Sequence, residues 1–503
     1  MIRNKNSSFA EQGNIILVAM FVYALSIGQL SAQHADLEES LSSTQGNTQG
    51  SAQTITKLPA AVDALIKKSS VKRDAMSLWV APTDTGVPIV DFQSTIARNP
   101  ASAEKAVTTG VGLLLLGEDY RWKTEFYTDG KVVDKVLRGN LYIKGYGNPY
   151  MVEERLMDMV VALRNVPIDV IEGDVILDNS YFENRVEDPD AFDGHGTALY
   201  NAIPNALAIN FRAVDLIVEN QDGAIALSTD PPLHYTQLDN AMQFNSHAAC
   251  KGREGFAPIV TVDRAQDLVS VSGTLSRHCQ REQLRLVLTD AGDQYFGLFK
   301  QAWELTGGQL SGDWYYGQVG ADFTRLHQGL SRPLREQIQP MNKLSNNIMT
   351  RQLFLTLGAE LTQPPGTLEK ARAVVKNQLQ RMGIDTAGLY MDNGSGLSRD
   401  SRISARQMGE FLVGIAQTNV APVFFESLSI VGVDGTLRRR LKNTPIANNA
   451  IGKSGTLRDA RAVVGYLTAK TGRQYAYVML FSGASSPQSR PLMDGMMQWL
   501  YEQ

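Results

Sequence analysis

The chain has 503 residues, 43% of them hydrophobic and 20% charged, which is enough apolar material for a large core in two or three domains and too little charge for wholesale disorder. Its formal net charge is −4 and no long basic run occurs, so a nucleic-acid partner, whose phosphates must be neutralised, is not expected.

The chain opens on a targeting pattern. Arg3 and Lys5 precede an apolar stretch, Ile15 to Gly28, interrupted only by Ser26, and Leu30-Ser31-Ala32 offers a small-residue cleavage site. That stretch is short for a span, which needs about 20 residues. Residues 1–32 are therefore expected to be a cleaved signal peptide, with a retained anchor as the alternative and at most weak membrane association. The chain would then be exported, to a periplasmic or extracellular place in the cell envelope. Residues 33–57, rich in Ser, Gln, Thr and acidic residues, read as a flexible leader.

Leu58-Pro59 opens an amphipathic helix with Val62, Leu65 and Ile66 on one face. Strands follow at Ala75 to Ala81 and Val87 to Phe92, joined by the turn-rich Pro82 to Gly86. Asn99-Pro100-Ala101 then leads into a helix from Ser102 to about Leu116, stopped by Gly117. Ser102 stands at its N-terminus, where backbone N–H groups favour developing negative charge, and Lys105 lies one turn on, on the same face.

From about Arg121 the pattern turns to strands: Leu141 to Lys144, Gly173 to Leu177, Leu207 to Asn210, Ile259 to Val262 and Leu284 to Leu288, with one core helix at Tyr295 to Leu305. This material separates Ser102 from Ser345 and reads as an insertion of two subdomains. It contains the only two cysteines, Cys250 and Cys279, 29 positions apart. In an oxidising compartment one disulfide is the parsimonious reading, with two unrelated thiols as the alternative. Chain entropy for such a loop gives about 3.6 kcal/mol. His247 and His278 lie nearby, but the spacing fits no zinc pattern and no metal is expected.

Pro333 opens a helix, kinked at Pro340, that carries Ser345 and Asn347. The chain closes with strands at Arg461 to Thr468 and Tyr475 to Phe481 around a Thr471-Gly472 turn, then a helix with Leu492, Met496, Trp499 and Leu500. The implied core is an antiparallel sheet covered by helices, α/β (α+β) in class.

Three short motifs carry the chemistry: Ser102-Ala103-Glu104-Lys105, Ser345-Asn346-Asn347 and Lys453-Ser454-Gly455. The first and third have decoys to set aside. Ser69 to Lys72 sits in a solvated charge run, where a lysine keeps its ordinary pKa of about 10.4 and accepts no proton near neutrality. Lys105 runs into an apolar helix instead. Burial, with Lys453 as a second positive charge, can hold it neutral, at a cost on the order of 4–5 kcal/mol. Lys470-Thr471-Gly472 reads as an exposed hairpin turn, whereas Lys453 begins strand material after Gly452. Gly452-Lys453-Ser454 lacks the glycines of a phosphate loop, and Asn393-Gly394-Ser395-Gly396 is not a nucleophile elbow. All six histidines lie between His34 and His327, so a base of the α/β-hydrolase order is missing and a lysine base remains.

The three motifs and the long gap after Ser102 resemble the class C low-molecular-mass penicillin-binding proteins, D-alanyl-D-alanine carboxypeptidases and endopeptidases of the penicillin-binding protein 4 type. Arg138 to Gly145, Asn148-Pro149, Gly173 to Asp178, Asp392 to Arg399, Val433 to Leu437 and Ser454 to Leu457 carry the likeness further, from about Leu58 to the C-terminus. The resemblance implies Ser102 as nucleophile, Lys105 as base and Ser345 as proton relay. Asn347 would hold the substrate backbone, Lys453 and Ser454 its carboxylate, and the N–H groups of Ser102 and Thr456 the oxyanion. It also implies peptidoglycan stem peptides as substrate, β-lactams as covalent inhibitors and no cofactor. The catalytic domain would comprise residues 58–125 and 329–503 around inserted domains at 126–328. Asn346 and Asn148 stand where the family has Asp, and Ser454 where Thr is common. None of these changes removes a required group. The alternative readings are a β-lactamase or esterase on the same core and a catalytically silent wall-binding protein; the oligomeric state is left open.

Overall fold

The structure is a computed structural model that describes residues 58–252 and 254–503, so the expected signal peptide and leader lie outside the described residues. Its centre is a six-stranded antiparallel sheet. The strands are β1 (Met76–Pro82), β2 (Val90–Phe92), β3 (Ser429–Ile430), β4 (Ala450–Thr456), β5 (Ala460–Thr468) and β6 (Gln474–Ser482), in the order β2-β1-β6-β5-β4-β3. Strands from near the two ends of the described chain thus lie side by side, with Met76 opposite Phe481 and Pro82 opposite Tyr475.

Period-2 alternation divides this sheet between two cores. Trp79, Val464, Val478 and Leu480 face the helices α2 (Glu104–Leu116), α3 (Asn347–Thr362) and α4 (Ala405–Ala416). Leu78, Val463, Met479 and Phe481 face α1 (Ala60–Lys68) and α5 (Arg490–Tyr501). Burial on both faces explains why β1 and β6 read as nearly unbroken apolar runs. Helix α2 is buried along its first ten residues and runs through the first core. A Cβ on Gly110 would lie 2.7 Å from Phe411, and one on Gly112 3.1 Å from Leu353. These glycines are therefore what lets α2 approach its neighbours.

Lys123–Thr128 pairs with Thr324–Leu330, so the chain enters the inserted region and leaves it side by side. Between them lie mixed sheets packed on the helices Glu153–Leu163 and Ala291–Leu305, where Phe296, Phe299 and Trp303 are all buried. Two further three-stranded sheets share a small core that includes Leu216, Val218, Val271 and Leu275, and there Cys250 is bridged to Cys279. Among the described residues no helix is long and apolar enough to cross a membrane.

Two expectations need correcting. Leu207 to Asn210 is not a strand. Asn210, Phe211 and Arg212 have φ of +49°, +55° and +64°, a left-handed path that no strand can follow, and the apolar Leu207 and Ile209 are buried from a turn instead. Nor does one helix carry Ser345 and Asn347. The helix from Leu334 ends at Lys343, Ser345 has φ +60°, and α3 begins at Asn347 with the Asn346 side chain accepting from the Met349 N–H at 3.1 Å. Asn346 is thus a helix cap, a role that Asp fills equally well.

Candidate active site

Three elements meet at one point: the turn into α2, the break before α3, and the free end of β4. Ser102 lies in a short 3-10 turn, Ala101–Ala103, that runs into α2. Glycines on two neighbouring segments let the backbone close around that turn. A Cβ on Gly455 would lie 2.3 Å from the Pro100 carbonyl oxygen, and one on Gly396, where φ is +73°, 1.8 Å from that of Ala101. Neither site has room for a side chain.

Lys105 is fully buried, with Nζ 3.1 Å from Ser102 Oγ and 2.7 Å from Asn347 Oδ1, and it also meets the Ser395 carbonyl oxygen. Burial drives its pKa well down, and the charge of Lys453 acts in the same direction. Glu104 opposes this, but burial lifts its own carboxyl to about 7, which weakens that opposition. A neutral amine has two N–H groups and one lone pair. The Asn347 and Ser395 oxygens can only accept, so they take the two N–H groups and the lone pair is left for the Ser102 hydroxyl. The arrangement suits proton removal from Ser102.

Lys453 is likewise buried and donates to Ser345 Oγ at 2.9 Å and to the Ser454 carbonyl at 2.9 Å. Burial lowers its pKa to about 7. Ser454 Oγ donates to Thr436 Oγ1 at 2.8 Å, and Thr456 is exposed at the end of β4. Strand β3 pairs with Ile451 and Gly452, which leaves Lys453 to Thr456 without a strand partner on that edge among the described residues. A cavity of about 730 Å³ opens at Ser345 and Asn347, with Tyr200, Phe211 and Glu153 also in its wall.

The structure therefore forms two hydrogen-bonded groups, Ser102–Lys105–Asn347 and Ser345–Lys453, near enough for the charge of Lys453 to act on Lys105, with Ser454 and Thr456 further along β4. Asn347 also has partners within the protein: its Oδ1 accepts from Lys105 at 2.7 Å, and its Nδ2 donates to the Tyr200 carbonyl at 3.0 Å. Two contributors escape a reading of the sequence, the backbone carbonyls of Ser395 and Tyr200. A carbonyl leaves no residue-type signal; the glycines flanking Ser395 are its only trace. Both decoys lie elsewhere: Lys72 is exposed, and Lys470 sits at the β5–β6 turn paired with Glu502 at 2.8 Å.

Residues 58–503 match the family described as D-Ala-D-Ala carboxypeptidase 3 (S13). The chain is 24% identical over 402 residues to the D-alanyl-D-alanine carboxypeptidase DacB of Haemophilus influenzae, covering 79% of this chain and 83% of that one. It is 25% identical over 460 residues to the D-alanyl-D-alanine carboxypeptidase of an Actinomadura species, covering 88% and 84%. Among solved structures, penicillin binding protein 4 from Haemophilus influenzae superposes with a TM-score of 0.75 at 22% identity, over 88% of this chain and 99% of the other. That likeness establishes a common fold.

Proposed function

This chain belongs to the D-Ala-D-Ala carboxypeptidase 3 (S13) family and is a serine-type D-Ala-D-Ala carboxypeptidase; on that premise we propose that it cleaves peptidoglycan stem peptides through an acyl-enzyme on Ser102. The observation that carries this reading is the placement of Lys105 Nζ, buried and 3.1 Å from Ser102 Oγ, with its other contacts able only to accept.

Ser102 Oγ attacks the carbonyl carbon of the penultimate D-alanine while Lys105 takes its proton. Backbone N–H groups of Ser102 and Thr456 hold the oxyanion, each worth about 3 kcal/mol by comparison with other hydrolases. Ser345, bonded to Lys453, passes a proton to the departing amine as the C–N bond breaks. Lys453 and Ser454 hold the terminal carboxylate, and water then cleaves the ester. Asn347 fixes Lys105 through its Oδ1, and its Nδ2 gives one N–H to the Tyr200 carbonyl and keeps the second for the substrate backbone.

A β-lactam offers a strained cyclic amide whose amine stays tethered to the acyl group after the C–N bond breaks, so covalent inhibition at Ser102 is part of the proposal. A Haemophilus influenzae relative has been solved in complex with a β-lactam, which supports it. So is export to the cell envelope, where the Cys250–Cys279 bridge would persist. The catalytic domain is read as residues 58–125 and 329–503, interrupted by inserted domains at 126–328.

Fluorescent penicillin should label the wild type and not Ser102→Ala, and the wild type should release D-alanine from a D-Ala-D-Ala peptide. An unlabelled wild type would sink the acyl-enzyme; a labelled alanine variant would move the nucleophile elsewhere. Rapid release of hydrolysed penicillin would point to a β-lactamase instead.

A further inference from the structure

Next to the unpaired edge of β4 the protein is strongly basic. A cavity of about 420 Å³ opens against Ser454 and Thr456, walled by Arg438, Arg439 and Arg440, by Arg461 of β5 and by Arg490 of α5. Among the described residues no acidic side chain lines it. Behind it, Asp494 bonds Arg440 Nε and lies 3.8 Å from Arg490. Arg440 is only 8% exposed, and its Nη2 is buried with no hydrogen-bond partner among the described residues. Five guanidinium groups thus stand against one carboxylate. Arg438, Arg439 and Arg490 are exposed, but Arg440 is buried and Arg461 half-buried, so these two lose hydration in the cavity wall and a bound anion relieves the repulsion.

The position of the cavity says which part of a substrate would meet it. Along β4 alternate residues face opposite ways. Gly455 faces the Ser102 turn, whereas Ser454 bonds Thr436, on the side of the arginines. In the reading given above, on which this inference rests, Ser454 holds the carboxylate of the departing residue. The cavity then lies beyond that residue.

We propose that this cavity is a leaving-group subsite for an acidic amine: cleavage is favoured where the departing amino acid or peptide carries a further carboxylate besides the one at the scissile residue. The bond changes are unaltered. Ser102 Oγ bonds to the carbonyl carbon, the C–N bond breaks with its electron pair on nitrogen, and the amine leaves with the proton that Ser102 gave up. The second carboxylate only binds, so the subsite sets specificity.

The test uses the full chain and two peptides with the same acyl part, one ending in D-Ala–D-glutamate and the other in D-Ala–D-glutamine, which match in shape and differ in charge. The wild type should favour the glutamate peptide by about tenfold in kcat/KM, and added salt should narrow the gap. The double variant Arg438→Gln/Arg439→Gln, at two exposed positions, should cut that preference several-fold, and Arg439→Glu should cut it further. A wild-type ratio near one, or a preference that the variants leave intact, would overturn the subsite alone. Failure to cleave any peptide ending in D-Ala-D-Ala would overturn the parent reading and the subsite with it.

Discussion

Two lysines with depressed pKa values set the behaviour of single residues here. Lys105 must be neutral to accept a proton, so acylation should fall in acid as it becomes charged. Lys453 should be charged to hold a carboxylate, and its pKa of about 7 means that charge is lost as pH rises past neutrality. A profile of kcat/KM against pH on a D-Ala-D-Ala peptide should therefore be bell-shaped; a flat alkaline side would show that Lys453 keeps its proton. The same shift has a stability sign. Between about pH 7 and 10.4 an unfolded lysine holds a proton that folded Lys453 has released, so stability rises with pH across that window and the penalty is complete below it. Lys453→Met should abolish acylation yet raise Tm at pH 6, by roughly 1 °C for each kcal/mol recovered. A lowered Tm would mean that the bonds to Ser345 and Ser454 outweigh the desolvation.

At the scale of elements, the site depends on how closely three backbones meet. Gly396→Ala and Gly455→Ala should each push the Ser102 turn out of line and slow penicillin acylation by about 100-fold or more while circular dichroism stays native. Unchanged acylation in both would show that the turn yields freely. This is also where the sequence is most and least legible. The spacing of Ser102 and Lys105 at a helix start can be read because one turn of helix puts them on one face. The placement of Ser345 cannot, because its φ of +60° breaks a pattern that polar residues on both sides continue. Leu207 to Asn210 misleads for a related reason: a short apolar run looks the same whether it is buried from a strand or from a turn.

For the molecule as a whole, the inserted region borders the site at one end and carries a small hydrophobic core of its own at the other. Its inner part docks on α3, where Arg351 pairs with Glu187 and donates to the Ala202 carbonyl at 3.1 Å, close to the Tyr200–Asn347 contact. Arg351→Ala strands a half-buried carboxylate and a buried carbonyl, so about 2 kcal/mol of stability should be lost on urea unfolding. Peptide turnover should suffer more than penicillin labelling, since the larger ligand needs the wall that Tyr200 provides. The disulfide belongs to the two three-stranded sheets and their own small core. Replacing both Cys250 and Cys279 by serine should cost up to about 3.6 kcal/mol there and leave the rate of Ser102 acylation unchanged. A slowed acylation would reveal a coupling between the two ends of the insertion.

Because β1 lies against β6, the central sheet cannot close until nearly the last strand has been made. Ser102 and Lys453 are 351 positions apart, so a chain emerging N-terminus first exposes Ser102 long before the other side of the cleft exists. Such distant pairings slow folding and leave unpaired edges waiting. On the proposed mechanism the cleft therefore stays incomplete until the last strand joins, and until then β1 waits with an open edge.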